Sequence, residues 1–174
     1  MGKGIYNIKK VSDEDIERRL KSSNASIDIP LILRTVCKPV KDHKDGRKIA
    51  VKLRRTLVKN PRGMGIAAPQ CGIDARVFTY RPCVGGAYKI IINPKMITLS
   101  EEMLEGGEGC LSIPGVAGNV QRSTKITVEY IDSKDELVRE TLENLEAVVF
   151  QHEYDHLEGV LYIDKASEIR KITP

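Results

Sequence analysis

The apolar and polar positions predict two helices, a series of short strands and a third helix that carries the chemistry. Residues 12–20 predict a short helix, with Ser12 placed to cap it and Asp13, Glu14 and Asp15 at its electropositive start. Pro30 interrupts the next apolar stretch. Ile49, Leu53 and Leu57 then recur at i, i+4 and i+8, which predicts an amphipathic helix over 46–59, ended by Pro61 and Gly63. From there the pattern turns to strands. Arg76–Tyr80 and Tyr88–Ile92 are short β-branched or aromatic runs separated by Pro82, Gly85 and Gly86. Lys125–Ile131 alternates, and the polar stretch 133–136 joins it to Leu137–Leu142 as a hairpin. The period changes again at Leu145, Val148, Val149, His152 and His156, which share one face of a helix. The expected fold is α+β: mixed, mainly antiparallel strands packed around one apolar helix near the C-terminus.

Composition narrows the class. The 174 residues predict a single domain over 1–174, with the helical segment 12–20 near its start and a short tail at 165–174. With 41% hydrophobic and 30% charged residues the chain reads as globular rather than disordered. At this length it buries roughly two-thirds of its unfolded surface and needs no disulfide staple. The net charge is a mild +4, with no Trp and two Phe, so the basic stripe with stacking aromatics of a nucleic-acid binder is missing. Lys44–Arg55 reads instead as a solvated helix face, and no specific nucleic-acid binding is expected. No apolar run approaches the roughly 18 residues of a membrane span. The first residues lack a signal-peptide core, and Gly2 fails as a myristoylation start because position 6 is Tyr6. Cys37, Cys71, Cys83 and Cys110 include no CxxC pair, which suits reduced thiols and a cytoplasmic location.

The third helix contains His152-Glu153-Tyr154-Asp155-His156, an HExxH sequence. Histidines four apart lie one turn apart on one side, so both imidazoles can reach one metal ion, and the glutamate can act as general base on water activated there. The alternative is two histidines at this spacing by chance. Their place on the apolar stripe favours the metal, because a buried imidazole needs a partner. His43 reads as a solvated residue in a charged loop. A catalytic site needs a third protein ligand and one open position. The extended pattern HExxHxxGxxH is met at Gly159 but has Tyr162 at its third histidine, and the later Glu168 sits in a charged tail. The third ligand is therefore sought upstream, at Cys110 in Glu108-Gly-Cys-Leu-Ser112, where Gly106, Gly107, Gly109, Pro114 and Gly115 allow close backbone approach. An inert buried thiol is the bland reading. A third segment, Gly63-Met-Gly-Ile-Ala-Ala-Pro-Gln70, describes backbone held close to something, although a tight turn would read the same and Gln70 could be a surface amide.

Together the three segments resemble peptide deformylase, whose motifs GφGφAAxQ, EGCφS and HExDH occur in this order at Gly63–Gln70, Glu108–Ser112 and His152–His156. Leu33-Arg34 and Pro39-Val40 are also similar to the family's N-terminal region, and the likeness spans roughly 30–165. The resemblance implies hydrolytic removal of the formyl group from the N-terminal formyl-methionine of nascent peptides. It implies Cys110, His152 and His156 as ligands of one divalent metal, Fe(II) by family habit, with Zn or Ni able to take its place. It implies Glu153 as the proton carrier, and Gln70 with the Leu111 backbone N–H as donors to the oxyanion. Met64, Leu145, Val148 and Val149 are expected around the methionine side chain, with Met64, Gly65 and Gly109 offering main-chain contacts. A Glu108–Arg122 pair is expected to hold the cysteine loop, such that reversing both charges restores what either single change loses.

Two departures stand out. Ala117 replaces an arginine that some members carry near the substrate, and only ten residues follow Asp164, where many bacterial members continue into a helix implicated in ribosome docking. Two other readings share the motif. An HExxH metallo-endoprotease lacks an evident downstream ligand here. A non-catalytic, metal-stapled domain docking on the ribosome through Lys44–Arg55 would need four protein ligands and would leave Glu153 without a role.

Overall fold

The computed structural model of the protein describes residues 5–22 and 27–172; Gly2 lies outside them. Helix α1 (Asp13–Lys21) is capped by the Ser12 hydroxyl, which accepts from Asp15 N–H. Helix α2 (His43–Val58) starts earlier than the apolar spacing suggests, because Asp42 accepts from Lys44 N–H and caps it. His43 is therefore the first residue of a helix, and its Nδ1 lies 2.9 Å from Asp135.

Seven strands follow: β1 (Gly65–Ala67), β2 (Val77–Tyr80), β3 (Lys89–Leu99), β4 (Met103–Cys110), β5 (Ile113–Ser123), β6 (Lys125–Ile131) and β7 (Leu137–Glu143). Helix α3 (Asn144–Leu157), the one-turn α4 (Tyr162–Lys165) and β8 (Ile169–Lys171) complete the chain. One sheet has the order β1-β2-β3-β6-β7 and the other β4-β5-β8. Each of these pairings is antiparallel, in keeping with the mainly antiparallel strands expected.

The predicted 125–142 hairpin pairs in register from Lys125–Glu143 to Ile131–Leu137. Strand β3 runs seven residues past its predicted end at Ile92. Asn93-Pro94 looks like a break, but the sheet absorbs it with a bulge between Ile92 and Lys95. Asn93 takes a left-handed φ of 50° and its side chain both accepts from and donates to the Val40 backbone. The three-stranded sheet has no counterpart in the sequence reading. Three of the ten residues of the predicted tail form β8, with Val116–Gly118 facing Ile169–Lys171 across the pair.

Helix α3 presses Phe150 and Leu157 onto Phe78, Tyr80, Ile91 and Val128 of the larger sheet. On the same helix, Gln151 reaches β5: its amide donates to Ser123 O and accepts from Ser123 N–H. Helix α2 covers Ile66, Val77 and Ile92 with Ala50, Leu53 and Leu57. A third cluster joins the smaller sheet to α1 and α4 through Ile16, Val116, Val120 and Ile163. The helix α3 thus lies between two independently built sheets and can collect functional groups from both.

Candidate active site

Four structural pieces converge on α3. Its end is fixed by Gly159, whose φ of +70° terminates the helix and whose missing side chain leaves room for the Arg34 carbonyl, with its oxygen 2.5 Å from where a Cβ would stand. That accounts for the glycine which the extended protease pattern also demands. Tyr162, at the place where that pattern has a histidine, lays its ring over His152 at 6.2 Å between centroids. Its hydroxyl donates to Val116 O instead of reaching the site.

The His152 and His156 rings stand 5.1 Å apart between centroids. Cys110 reaches them from the last position of β4, where a register shift between Glu108 and Cys110 re-aims the side chain. Its Sγ lies 3.3 Å from His156 Nε2, and the donor atoms of Cys110, His152 and His156 all fall within 4.8 Å of one another. Ser112 N–H and the Gln70 amide both point at the sulfur, at 3.4 and 3.3 Å. Gln70 is no surface amide: it is buried, its Oε1 accepts from Ala67 N–H and its Nε2 also approaches Ser112 Oγ.

Behind the histidines runs a chain of charge. His152 Nδ1 is 2.8 Å from Glu108 Oε2, and Arg122 grips the same carboxylate through Nε at 2.7 Å and Nη2 at 2.9 Å. Arg122 Nη1 continues to Asp155, which Lys165 meets from outside. Burial would lift the Glu108 carboxyl, but Arg122 and His152 bring it down to about 2. A carboxylate on the far nitrogen of a histidine fixes its tautomer and leaves Nε2 free to ligate. Asp155 and Ser112 escaped the sequence reading; Asp155 lies inside the motif, but nothing local says that it pairs with an arginine 33 residues upstream.

Because Glu108 serves His152 and Arg122 together, the geometry argues against rescue by charge reversal. An arginine at 108 would set a cation against His152, and a glutamate at 122 would face Asp155.

Glu153 is buried and its Oε2 has no hydrogen-bond partner among the described residues. Desolvation drives its carboxyl up to about 7. Gly65 explains how it fits, since a Cβ there would lie 2.6 Å from Glu153 Cγ. A cleft of about 530 Å³ opens over these groups. Met64, Gly65, Gln70, Glu108, Gly109, Cys110, Leu111, Leu145, Val148, Val149, His152 and Glu153 all line it, whereas His156 and Arg122 stand behind its wall. The predicted α3 face is mainly a cleft wall. Leu145 is 51% exposed, and the core side is made by Ala147, Phe150, Gln151 and Leu157. Ile8 and Lys10, from a segment without a sequence signal, also line the cleft.

The sequence model of the polypeptide deformylase family matches residues 25–172. The chain belongs to the polypeptide deformylase family. The peptide deformylase of Thermotoga sp. (strain RQ2) is 38% identical over 141 residues, which are 81% of this chain and 85% of that one. The crystal structure of the Thermotoga maritima peptide deformylase superposes with a TM-score of 0.76 at 34% identity, covering 94% and 98% of the two chains. A class I type b peptide deformylase from Acinetobacter baumannii, crystallised with Met-Ala-Ser, gives 0.73 at 26% identity over 92% and 98%. The protein is thus an enzyme that hydrolyses the N-formyl group, and deformylases are metalloenzymes. The donor set here fits an ion: one sulfur and two imidazoles converge, beside a buried carboxylate oxygen that no described residue satisfies.

Proposed function

We propose that this deformylase works on the N-terminal formyl-methionine of nascent peptides in the cytoplasm, as one catalytic domain, with Cys110, His152 and His156 holding one divalent metal. Fe(II) is the expected ion, with Zn or Ni able to serve in the same sulfur and nitrogen set. When bound, the metal supplies Lewis-acid polarisation. The observation that carries the reading is the unpartnered Glu153 Oε2, buried in the cleft wall beside the three donors. Such a carboxylate is costly to keep unless the reaction uses it, and a carboxyl titrating near neutral pH can both accept and return a proton.

Glu153 takes the proton of the attacking water and later delivers it to the departing amine, so that formate and a free N-terminus leave. Gln70 Nε2 and the Leu111 N–H stabilise the charge that develops on the formyl oxygen, each worth on the order of 3 kcal/mol. Gln70 is positioned for this because its own oxygen is tied to Ala67 N–H, which leaves its NH₂ facing the cysteine loop. Met64, Leu145, Val148 and Val149 receive the unbranched methionine side chain in the apolar part of the cleft. Met64, Gly65 and Gly109 lend main-chain groups to the peptide. The Glu108–Arg122 pair holds the cysteine strand against His152.

Formate release from formyl-Met-Ala by Ni-loaded protein tests the reading. The wild type should release formate, Cys110→Ala should fail to hold the metal, and Glu153→Ala should hold it while losing about 10²- to 10⁴-fold in kcat/KM. Cleavage of internal peptide bonds without formate release would favour the endoprotease instead.

A further inference from the structure

The cleft carries an unbalanced charge that deformylation itself does not use. Of its acidic lining residues, Glu108 is consumed by Arg122 and His152, and Glu153 is buried at the reacting centre. The remaining charged lining residues are Lys10 and Arg62, both exposed and neither ion-paired with any described residue. Among the described residues no exposed acid lines the cleft to offset them.

Both cations stand on backbone that is pinned. Lys9 N–H donates to Gln70 O at 2.7 Å and Val11 N–H to Ser112 O at 2.9 Å, so residues 9–11 are fastened to two residues of the reacting centre. Side chains alternate along such an extended segment: Val11 is buried, while Ile8 and Lys10, two apart, line the cleft. Arg62 lies in the connection between α2 and β1, where Arg81 donates to both Pro61 O and Gly63 O. Cations on fixed walls of one cleft add their fields, and the low-dielectric walls focus them on whatever enters.

We infer that Lys10 and Arg62 are specificity residues that favour substrates carrying a carboxylate in the first few positions after the formyl-methionine. The inference rests on the deformylase reading and adds to it a substrate class: peptides acidic near their N-terminus. A short peptide's own C-terminal carboxylate offers the same chemistry, so the two sources must be separated.

The test measures kcat/KM of the Ni-loaded enzyme on formyl-Met-Ala-Ser-Ala amide and on copies with Asp or Asn at the second, third or fourth residue. The free-acid form of the parent peptide reports the terminal carboxylate. At low salt one Asp position should exceed its Asn counterpart by about three- to tenfold, as expected for a pair of exposed charges in a focused field. The ratio should shrink toward one at high salt and in the Lys10→Gln, Arg62→Gln double variant. An advantage confined to the free acid would show that only a chain terminus is read and would overturn the inference for nascent chains. Asp-to-Asn ratios near one at every position, with amide peptides still deformylated, would overturn it outright. A preference that survives the double variant would remove it from these residues. Absence of formate from every peptide would instead sink the deformylase reading beneath it.

Discussion

Helix α3 and the β4–β5 ribbon bring the three candidate metal donors together by opposite means. The helix is seated by packing: Phe150 meets Phe78 edge-on at 5.0 Å and Tyr80 at 6.0 Å, inside a cluster of buried apolar residues. Much of β4 is exposed, and its Cys110 end is tied to the helix by the His152–Glu108–Arg122–Asp155 chain of hydrogen-bonded charges. Packing tolerates changes of similar shape and volume. A buried charge pair tolerates no change in either partner, because the one left behind is buried and unpaired. The ribbon should therefore be the fragile half of the site and the helix the forgiving one.

Arg122→Ala is the strongest way to break this contrast. It strands Glu108 and should cost about 3–5 kcal/mol in urea unfolding. Metal affinity should fall by about 10- to 100-fold as His152 loses its fixed orientation. Adding Glu108→Arg to an Arg122→Glu background should restore neither quantity, for the reasons of geometry given above.

Glu108→Gln comes next, and its cost should depend on pH. The folded carboxyl, near 2, lies below its ordinary value of 4.5, so its contribution to stability is complete above pH 4.5 and is lost as the pH falls toward 2. The difference amounts to about 3 kcal/mol at neutral pH. The gap in Tm between wild type and Glu108→Gln, followed in metal-free protein, should accordingly narrow from pH 4.5 downward.

Phe150→Leu is the mildest. Lost area and an imperfectly filled space should cost about 1–2 kcal/mol, with metal affinity per folded molecule unchanged. A loss of affinity there would show that the helix is as finely poised as the ribbon.

The same contrast decides what could be read from the sequence. Helix α3, the hairpin and α2 declare themselves because helical spacing and strict alternation are local signals of burial, and α1 does so through its capping serine and acidic first turn. The three-stranded sheet does not. Glu105-Gly-Gly-Glu-Gly has a composition that disfavours strands, and only pairing with β5 makes it one. The ladder through Asn93-Pro94 is likewise a product of the sheet around it. Within the site, the motif residues are visible because the chemistry needs them at fixed spacing. Asp155 as a charge partner and Lys10 as a cleft residue are not, since each acquires its role from groups far away in the chain.

The central claim is that ribbon and helix hold one ion between them. Absorption spectroscopy of the Co(II)-loaded protein tests it directly, since a thiolate ligand gives a sulfur-to-cobalt charge-transfer band in the near ultraviolet. One cobalt per chain is expected in the wild type, with the band retained in Glu153→Gln and abolished in Cys110→Ala. An unchanged stoichiometry and spectrum in Cys110→Ala would contradict the account.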